Sequence, residues 1–478
     1  MNTPSQSVPL PGDERLTFNL TRDPDRSVRE DEYSFATAPQ ARQRNWGYTG
    51  LLAFTAVLLL RPQDTFRVLE PLHLAEVCAL IGILPMILHR LSHPVPGFRT
   101  NAETFAMFVF GGVMLATAPF SVWPGGVIDE VLNTYLKIVV VFVLMMNVLT
   151  SVERIDRLMW VIVACTGVIA AMSVFNYFRG YNLIEGGRLA GPVNGIFGNP
   201  NDLAMNMTSF LPAAIVMALS TRQPPGRRLV AALTAALMVA TIVFTKSRGG
   251  LLGIVAALGA IALLGRWMRR GVGTITIVAV LVATPFLPQS FWARMVSIFD
   301  EEADKQFTGS REARRIVMQE GIDTFLEYPL TGVGVGQFKN YNPPERKERW
   351  RETHNVLIQV ASETGILGLF VFSFLIIAAG AASVTTQRRV RLALRRKTPD
   401  KGDNDDAHTL GELTLGLTAG LVGWFVCAMF ASVAYNWTFY YLLALIVAAR
   451  ELARDRLPIP GQKRFSVPRT ALFPERAS

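Results

Sequence analysis

Cysteine and charge are both scarce in this sequence. Three cysteines, Cys78, Cys165 and Cys427, occur in 478 residues. Each lies inside an apolar stretch, which argues against a disulfide framework and against a thiolate metal site; they read as small buried apolar residues. Charged residues make up 18% of the chain, where soluble globular chains carry about 25%. There is no GxxxxGK(S/T) phosphate loop, so ATP-driven transport by this chain alone is not expected, and no HExxH or clustered Cys/His, so no metal site is expected. No cleavable signal peptide is visible: residues 1–45 are polar, Pro-rich and charged, and read as a disordered cytoplasmic tail.

What is there instead is apolar sequence. Hydrophobic residues make up 50% of the chain, mean hydropathy is +0.31, and long apolar runs recur from Trp46 to the mid-440s. A helix needs roughly 20 such residues to cross a ~30 Å hydrocarbon core. The runs predict an all-α, polytopic transmembrane protein of about 12 helices, with 10–12 crossings plausible. Spans fall near 47–60, 71–88, 104–120, 130–149, 158–178, 201–219, 229–245, 250–265, 272–287, 354–380, 411–432 and 435–449. The transmembrane domain is therefore expected over 46–450, with a second cytoplasmic tail over 451–478 and a cytoplasmic loop over 381–410.

The net charge of +10 does not point to nucleic acid, because the basic residues sit in the short loops between spans. Arg154, Arg157, Arg222, Arg227, Arg228, Arg266, Arg269 and Arg270 fall on one side, with Arg388–Lys397 and the tail from Arg450. The connections on the other side hold far fewer, so both termini are expected in the cytoplasm.

That orientation leaves residues 288–353 outside, too long for an idle connection. Within it 311–327 reads as a surface helix, with Ser310 as N-cap and an apolar face of Met318, Ile322, Phe325 and Leu326. Its charge favours a position across the membrane surface. Thr331–Phe338, TGVGVGQF, lacks GxGxxG spacing and a strand–helix context, and reads as a tight glycine turn returning from that helix.

Of five histidines, His73 and His354 fall on the external side. His354, with Thr353 as a plausible N-cap, opens a span at the water–lipid boundary. A positive helix end and neighbouring arginines disfavour imidazolium there, leaving a neutral ring that could accept a proton as a general base; an ordinary interfacial histidine reads equally well. Arg248 opens another helix on that face, as an interfacial anchor or a used charge. Arg311, Arg314 and Arg315 cluster at the start of the surface helix, where guanidinium forks match phosphate oxygens; Arg188, on the 179–200 loop, is a weaker candidate.

These segments, SRGG at a helix start, GSREARR…YPLTGVGVGQF in the external loop and THNVLIQVASETGILGL opening the next span, resemble the O-antigen ligase/polymerase family of bacterial membrane glycosyltransferases. GNPNDLA (Gly198–Ala204) also looks like the family's segment before a middle span, and the recognisable region runs over about 190–380. The resemblance implies a helical fold of the glycosyltransferase C type in the bacterial inner membrane, with a periplasmic active face. It implies transfer or polymerisation of a glycan from an undecaprenyl-diphosphate-linked donor, without metal or cofactor, in cell-surface polysaccharide biosynthesis. Acceptors in the family are lipid A-core (ligases), a growing glycan (O-antigen or exopolysaccharide polymerases) or protein (O-glycosylation ligases). By motif, His354 would deprotonate the acceptor hydroxyl, and Arg248 and Arg311 would hold the diphosphate, with Arg188 and Arg315 as further diphosphate-binding residues. The alternative of another class is a non-catalytic polysaccharide or anion transporter. It predicts charges lining a path inside the membrane, of which Lys137 is the clearest.

Overall fold

The computed structural model describes residues 46–92, 99–265, 311–347, 350–395 and 401–457. The expected span 272–287, the N-cap Ser310 and the terminal tails 1–45 and 458–478 lie outside them. Within the described residues the protein is a bundle of helices with a single two-stranded hairpin. The helices are α1 (Trp46–Leu60), α2 (Leu74–Ser92), α3 (Ala102–Ala116), α4 (Pro124–Val148), α5 (Val152–Arg179), α6 (Pro200–Leu219), α7 (Pro225–Thr245), α8 (Arg248–Leu264), α9 (Arg311–Glu327), α10 (Val356–Leu394), α11 (Lys401–Ala428) and α12 (Trp437–Arg456). The hairpin pairs β1 (Leu183–Ile184) with β2 (Arg188–Leu189), antiparallel.

Eight of the described helices are long and apolar enough to cross a membrane, and α8 is a shorter apolar one. The chain is a polytopic helical membrane protein. Local sequence sets the helix ends. Asn199 caps α6, accepting from the Asn201 and Asp202 N–H groups, with Pro200 in the first turn, where no donor is needed. Ser151 caps α5 at its start, and Gly180, at φ 74°, closes it.

The centre of the bundle is α12, with α10 and α11 against it and α6 packed on α7, α8 and α11. Nearly every residue from Thr438 to Ala453 is buried, as expected of a helix enclosed on all sides. At the periphery, α2 presents Val77, Leu80, Ile81, Leu84 and Leu88 outward; such a face suits lipid rather than water.

Two expectations about the segments around 381–410 and Arg450 change. The 381–410 segment is not a loop: α10 runs on to Leu394 and α11 starts at Lys401. Gln387 reaches Thr418 of α11 (3.2 Å) and Arg389 donates to the Leu457 carbonyl at the end of α12 (3.2 Å), so α10 continues, packed on its neighbours, beyond the apolar run that marked it. The tail does not begin at Arg450 either. That arginine is buried in α12, where it pairs with Glu103 of α3 (Nη2–Oε2 2.9 Å) and with Glu451 (2.7 Å). Breaking such a pair leaves an uncompensated buried charge, at a cost of about 3–5 kcal/mol. Glu103→Ala is therefore expected to lower the thermal midpoint of the purified protein by several degrees. Arg450→Met with Glu103→Leu should recover most of that loss, read by fluorescence-detected unfolding.

Candidate functional site

At one end of the bundle meet the starts of α6, α8, α10 and α12 and the ends of α7 and α11. His354 lies there, but not as the first residue of its helix. Asn355, not Thr353, is the N-cap of α10, its Oδ1 accepting from Leu357 N (3.0 Å) and Ile358 N (3.1 Å). The carboxamide also donates to the Met429 carbonyl (3.3 Å), an extra tie to the α11–α12 connection. Thr353 is buried, its hydroxyl 3.1 Å from that of Ser432. The same Ser432 Oγ accepts the His354 N–H at 3.0 Å.

His354 itself adopts φ 51°, a left-handed conformation costing a non-glycine residue roughly 1–2 kcal/mol. Such strain persists where the surroundings over-determine it, characteristically at functional sites. The half-buried imidazole has its pKa pushed down to about 4, first by burial and then by the Arg314 and Arg351 guanidiniums. The ring is therefore neutral at pH 7.

Of the described arginine side chains on α9, Arg314 is the one whose charge acts on His354. Arg315 is exposed and forms a fork with Glu312 of its own helix (3.0 and 3.2 Å). The Arg311 side chain lies outside the described set; its backbone begins α9, one turn before Arg314. The docked face of α9 is not the expected one. Val317, Gly321 and Thr324 are buried, whereas Ile322 and Leu326 of the expected apolar face are exposed. The reason is steric: a Cβ on Gly321 would stand 2.6 Å from Ile358 Cγ2 and 3.2 Å from Thr353 Cγ2, so only glycine lets α9 lie against the His354 segment. Helical spacing places Arg314 on the same side as Gly321. Gly321→Val is expected to push α9 away, at about 1–3 kcal/mol for overpacking. Proteolysis should become faster within 311–347 while the bundle stays intact.

The loop after α9 is fastened by a residue that sequence reasoning passed over. Glu363, buried in α10, accepts from Gly336 N (3.1 Å) and Phe338 N (3.3 Å). The helix is broken beside it at Gly365 (φ 65°, ψ −166°). Backbone groups around the break are taken up by the loop: Ile366 N–H donates to the Pro329 carbonyl (2.8 Å), and Val333 and Gly334 donate to the Ser362 and Glu363 carbonyls (2.9 and 3.0 Å). The glycine-rich stretch is thus an add-on to an opened helix. At Gly332, φ is +61° and a Cβ would meet the Glu363 carbonyl carbon at 2.3 Å, so glycine is required there. A lone carboxylate in an apolar run beside a glycine was the available signal. Arg346, buried and centred 4.1 Å above the Phe338 ring, completes the fastening by donating to the Arg351 carbonyl (2.8 Å), three residues before His354.

The second half of the site comes from α6–α8. Arg248 is the first residue of α8, whose cap Ser247 accepts from Gly250 N (3.2 Å). Arg188, on β2, is drawn to the same place: Nε donates to the Thr245 carbonyl (3.1 Å) and Nη2 to Asn201 Oδ1 (2.8 Å), which Ser247 Oγ also reaches (3.1 Å). Two links join the halves. Asp202, next to Asn201, lies within electrostatic reach of Glu352. The α11–α12 connection and the end of α11 touch both sides, Cys427 Sγ donating to the Gly249 carbonyl (3.3 Å) and Ser432 holding His354. Beside Thr353 and Ser432, among α4, the loop after α9, the start of α10 and the α11–α12 connection, a cavity of about 240 Å³ is lined by Glu130, Lys339, Glu352, Thr353, Gln359 and Glu363 among others. Glu130 stands at the start of a π-type turn in α4, a distortion often found at functional sites.

Residues 233–373 match the family model described as O-antigen ligase. The matched segment contains Arg248, the α9 arginines, the glycine-rich loop, His354 and Glu363. No curated protein matches the chain. With the fold, the family match supports a multi-pass membrane glycan ligase or polymerase acting in polysaccharide biosynthesis.

Proposed function

We infer that the chain transfers or polymerises a glycan from a polyprenyl-diphosphate-linked donor at the periplasmic face of the bacterial inner membrane, with His354 as general base. The observation that carries this reading is a neutral, strained histidine among arginines, beside a polar cavity large enough for roughly eight waters at ~30 Å³ each, or one sugar ring. The acceptor hydroxyl gives its proton to the imidazole as its oxygen bonds to the anomeric carbon of the donor sugar. The bond from that carbon to the diphosphate oxygen breaks, and the electron pair leaves on the diphosphate. Arg248, backed by Arg188, and Arg311 with Arg314 receive the charge that grows there. Guanidiniums aimed at a leaving diphosphate stabilise it as a metal ion would, so the reaction proceeds without metal. Arg315 serves the outer rim.

A base with a pKa near 4 is weak. The donor corrects this, because its negative diphosphate offsets the charges of Arg314 and Arg351 that hold the imidazole down, and His354 becomes more basic once donor is bound. The experiment is transfer by purified protein, with undecaprenyl-diphosphate glycan and, in separate arms, lipid A-core, glycan and protein acceptors. Only neutral His354 accepts a proton, so activity is lost as pH falls through its pKa. For the free enzyme kcat/KM should stay level down to about pH 5, while kcat should begin to fall at a higher pH. Arg351→Gln should move the kcat/KM limb upward. A kcat/KM limb near pH 6.5 in the wild type would contradict the assignment.

A further inference from the structure

Away from His354, α1, α2 and α4 enclose a second cavity of about 870 Å³, within the roughly 300–1,000 Å³ typical of ligand sites. One wall is apolar, built from Phe54, Leu58, Leu132, Leu136 and Val140. Leu132 and Leu136 are themselves exposed, so the cavity opens sideways between helices, on the flank where α2 turns its apolar face outward.

The other wall is charged. Arg61 pairs with Asp64 (2.8 Å) and Lys137 with Glu76 (2.8 Å), and Arg67 and Glu70 complete the set. The Lys137 and Glu76 side chains keep 43% and 42% of their surface accessible, so their pair faces the cavity rather than being packed away. Charged side chains beside an apolar, outward-facing wall are expensive unless used. The connection over the polar end is held by two left-handed residues that both line the cavity, Arg61 (φ 45°) and His73 (φ 43°). Asp64 Oδ2 also accepts the Asn194 N–H at 2.8 Å, which puts the polar end at the same end of the bundle as His354.

Three cations stand against three carboxylates. That balance separates this cavity from the arginine-rich site, and an anionic diphosphate would meet the carboxylates of Glu70 and Glu76. We propose that the cavity holds one zwitterionic bilayer phospholipid with a primary-ammonium headgroup. Its phosphate lies at Arg67 and Lys137, its ammonium at Glu70 and Glu76, and its chains along the Phe54–Val140 wall. A primary ammonium has three N–H donors for the carboxylates, which a trimethylated headgroup lacks. The site is independent of the transfer reaction.

Native mass spectrometry of the delipidated full chain, titrated separately with phosphatidylethanolamine, phosphatidylcholine and phosphatidylglycerol, tests this. One phosphatidylethanolamine per chain is expected, bound about tenfold or more tighter than the others, a difference of about 1.4 kcal/mol. Glu76→Gln with Lys137→Met removes both partners together and should abolish that preference, whereas His354→Ala should keep it. Leu132→Trp, which fills the apolar wall and leaves the ion pair intact, should lower occupancy by itself and decides the matter if the double variant does not fold. Equal binding of phosphatidylglycerol, no retained lipid, or undiminished preference in the double variant with undiminished occupancy in Leu132→Trp would overturn the proposal.

Discussion

His354→Ala is expected to lower glycan transfer by about 10²–10⁴-fold, the contribution of a positioned general base, while expression and membrane insertion stay at wild-type levels. The size follows from the site rather than from the residue type. The guanidiniums of Arg314 and Arg351 are donors without an acceptor lone pair, so neither takes the proton in place of His354, and the acceptor hydroxyl loses its base. The backbone conformation complicates a simple alanine variant, because residue 354 sits at φ 51°, a region in which histidine, asparagine and aspartate are enriched and alanine is not. His354→Asn is the sharper test. Asparagine tolerates the left-handed region, keeps a polar side chain and cannot act as a base at neutral pH. Loss of transfer in both variants with unchanged thermal midpoints assigns the defect to proton transfer. Full activity in His354→Asn would remove His354 from the mechanism.

That histidine was legible from its chemistry and its motif, yet its local geometry was not. Apolar runs located the described spans because hydropathy is a sum over many residues and survives local irregularity. Features decided by one contact did not show through. Thr353 and Asn355 are both good cap residues in isolation; in the fold Thr353 is drawn to Ser432, while Asn355 takes the Leu357 and Ile358 N–H groups and reaches the Met429 carbonyl. The break at Gly365 lies within an unbroken apolar run, since the groups it frees are satisfied by a loop some thirty residues earlier in the chain. On α9 the apolar stripe pointed to Ile322 and Leu326, but close approach at Gly321 fixed the docking face and so selected Arg314 to face the histidine. Arg346 gave no signal at all: one more arginine in a basic loop, it proves to be a buried staple because three backbone carbonyls converge on it.

Arg248→Ala is expected to reduce kcat by about 10²–10³-fold, the usual loss when one preorganised donor to a developing negative charge is removed. The first turn of α8 concentrates several positive features. Arg248 is its first residue, Ser247 caps the Gly250 N–H, and the helix start adds its own partial positive charge. Arg188 is in place behind it through Thr245 and Asn201. The bound donor already carries a negative diphosphate, so part of the interaction with Arg248 exists before reaction and contributes to KM. The part that grows as the sugar–oxygen bond breaks appears in kcat. A fall in kcat larger than the rise in KM therefore places Arg248 on the leaving group, and a change confined to KM would reduce it to a docking residue. Arg248→Lys separates charge from shape: lysine supplies a point charge but not two parallel donors, so it should recover KM more fully than kcat. Arg188→Gln should cost less than either, because two of the Arg188 nitrogens are committed to Thr245 and Asn201, and its removal acts on the diphosphate through the position of Arg248.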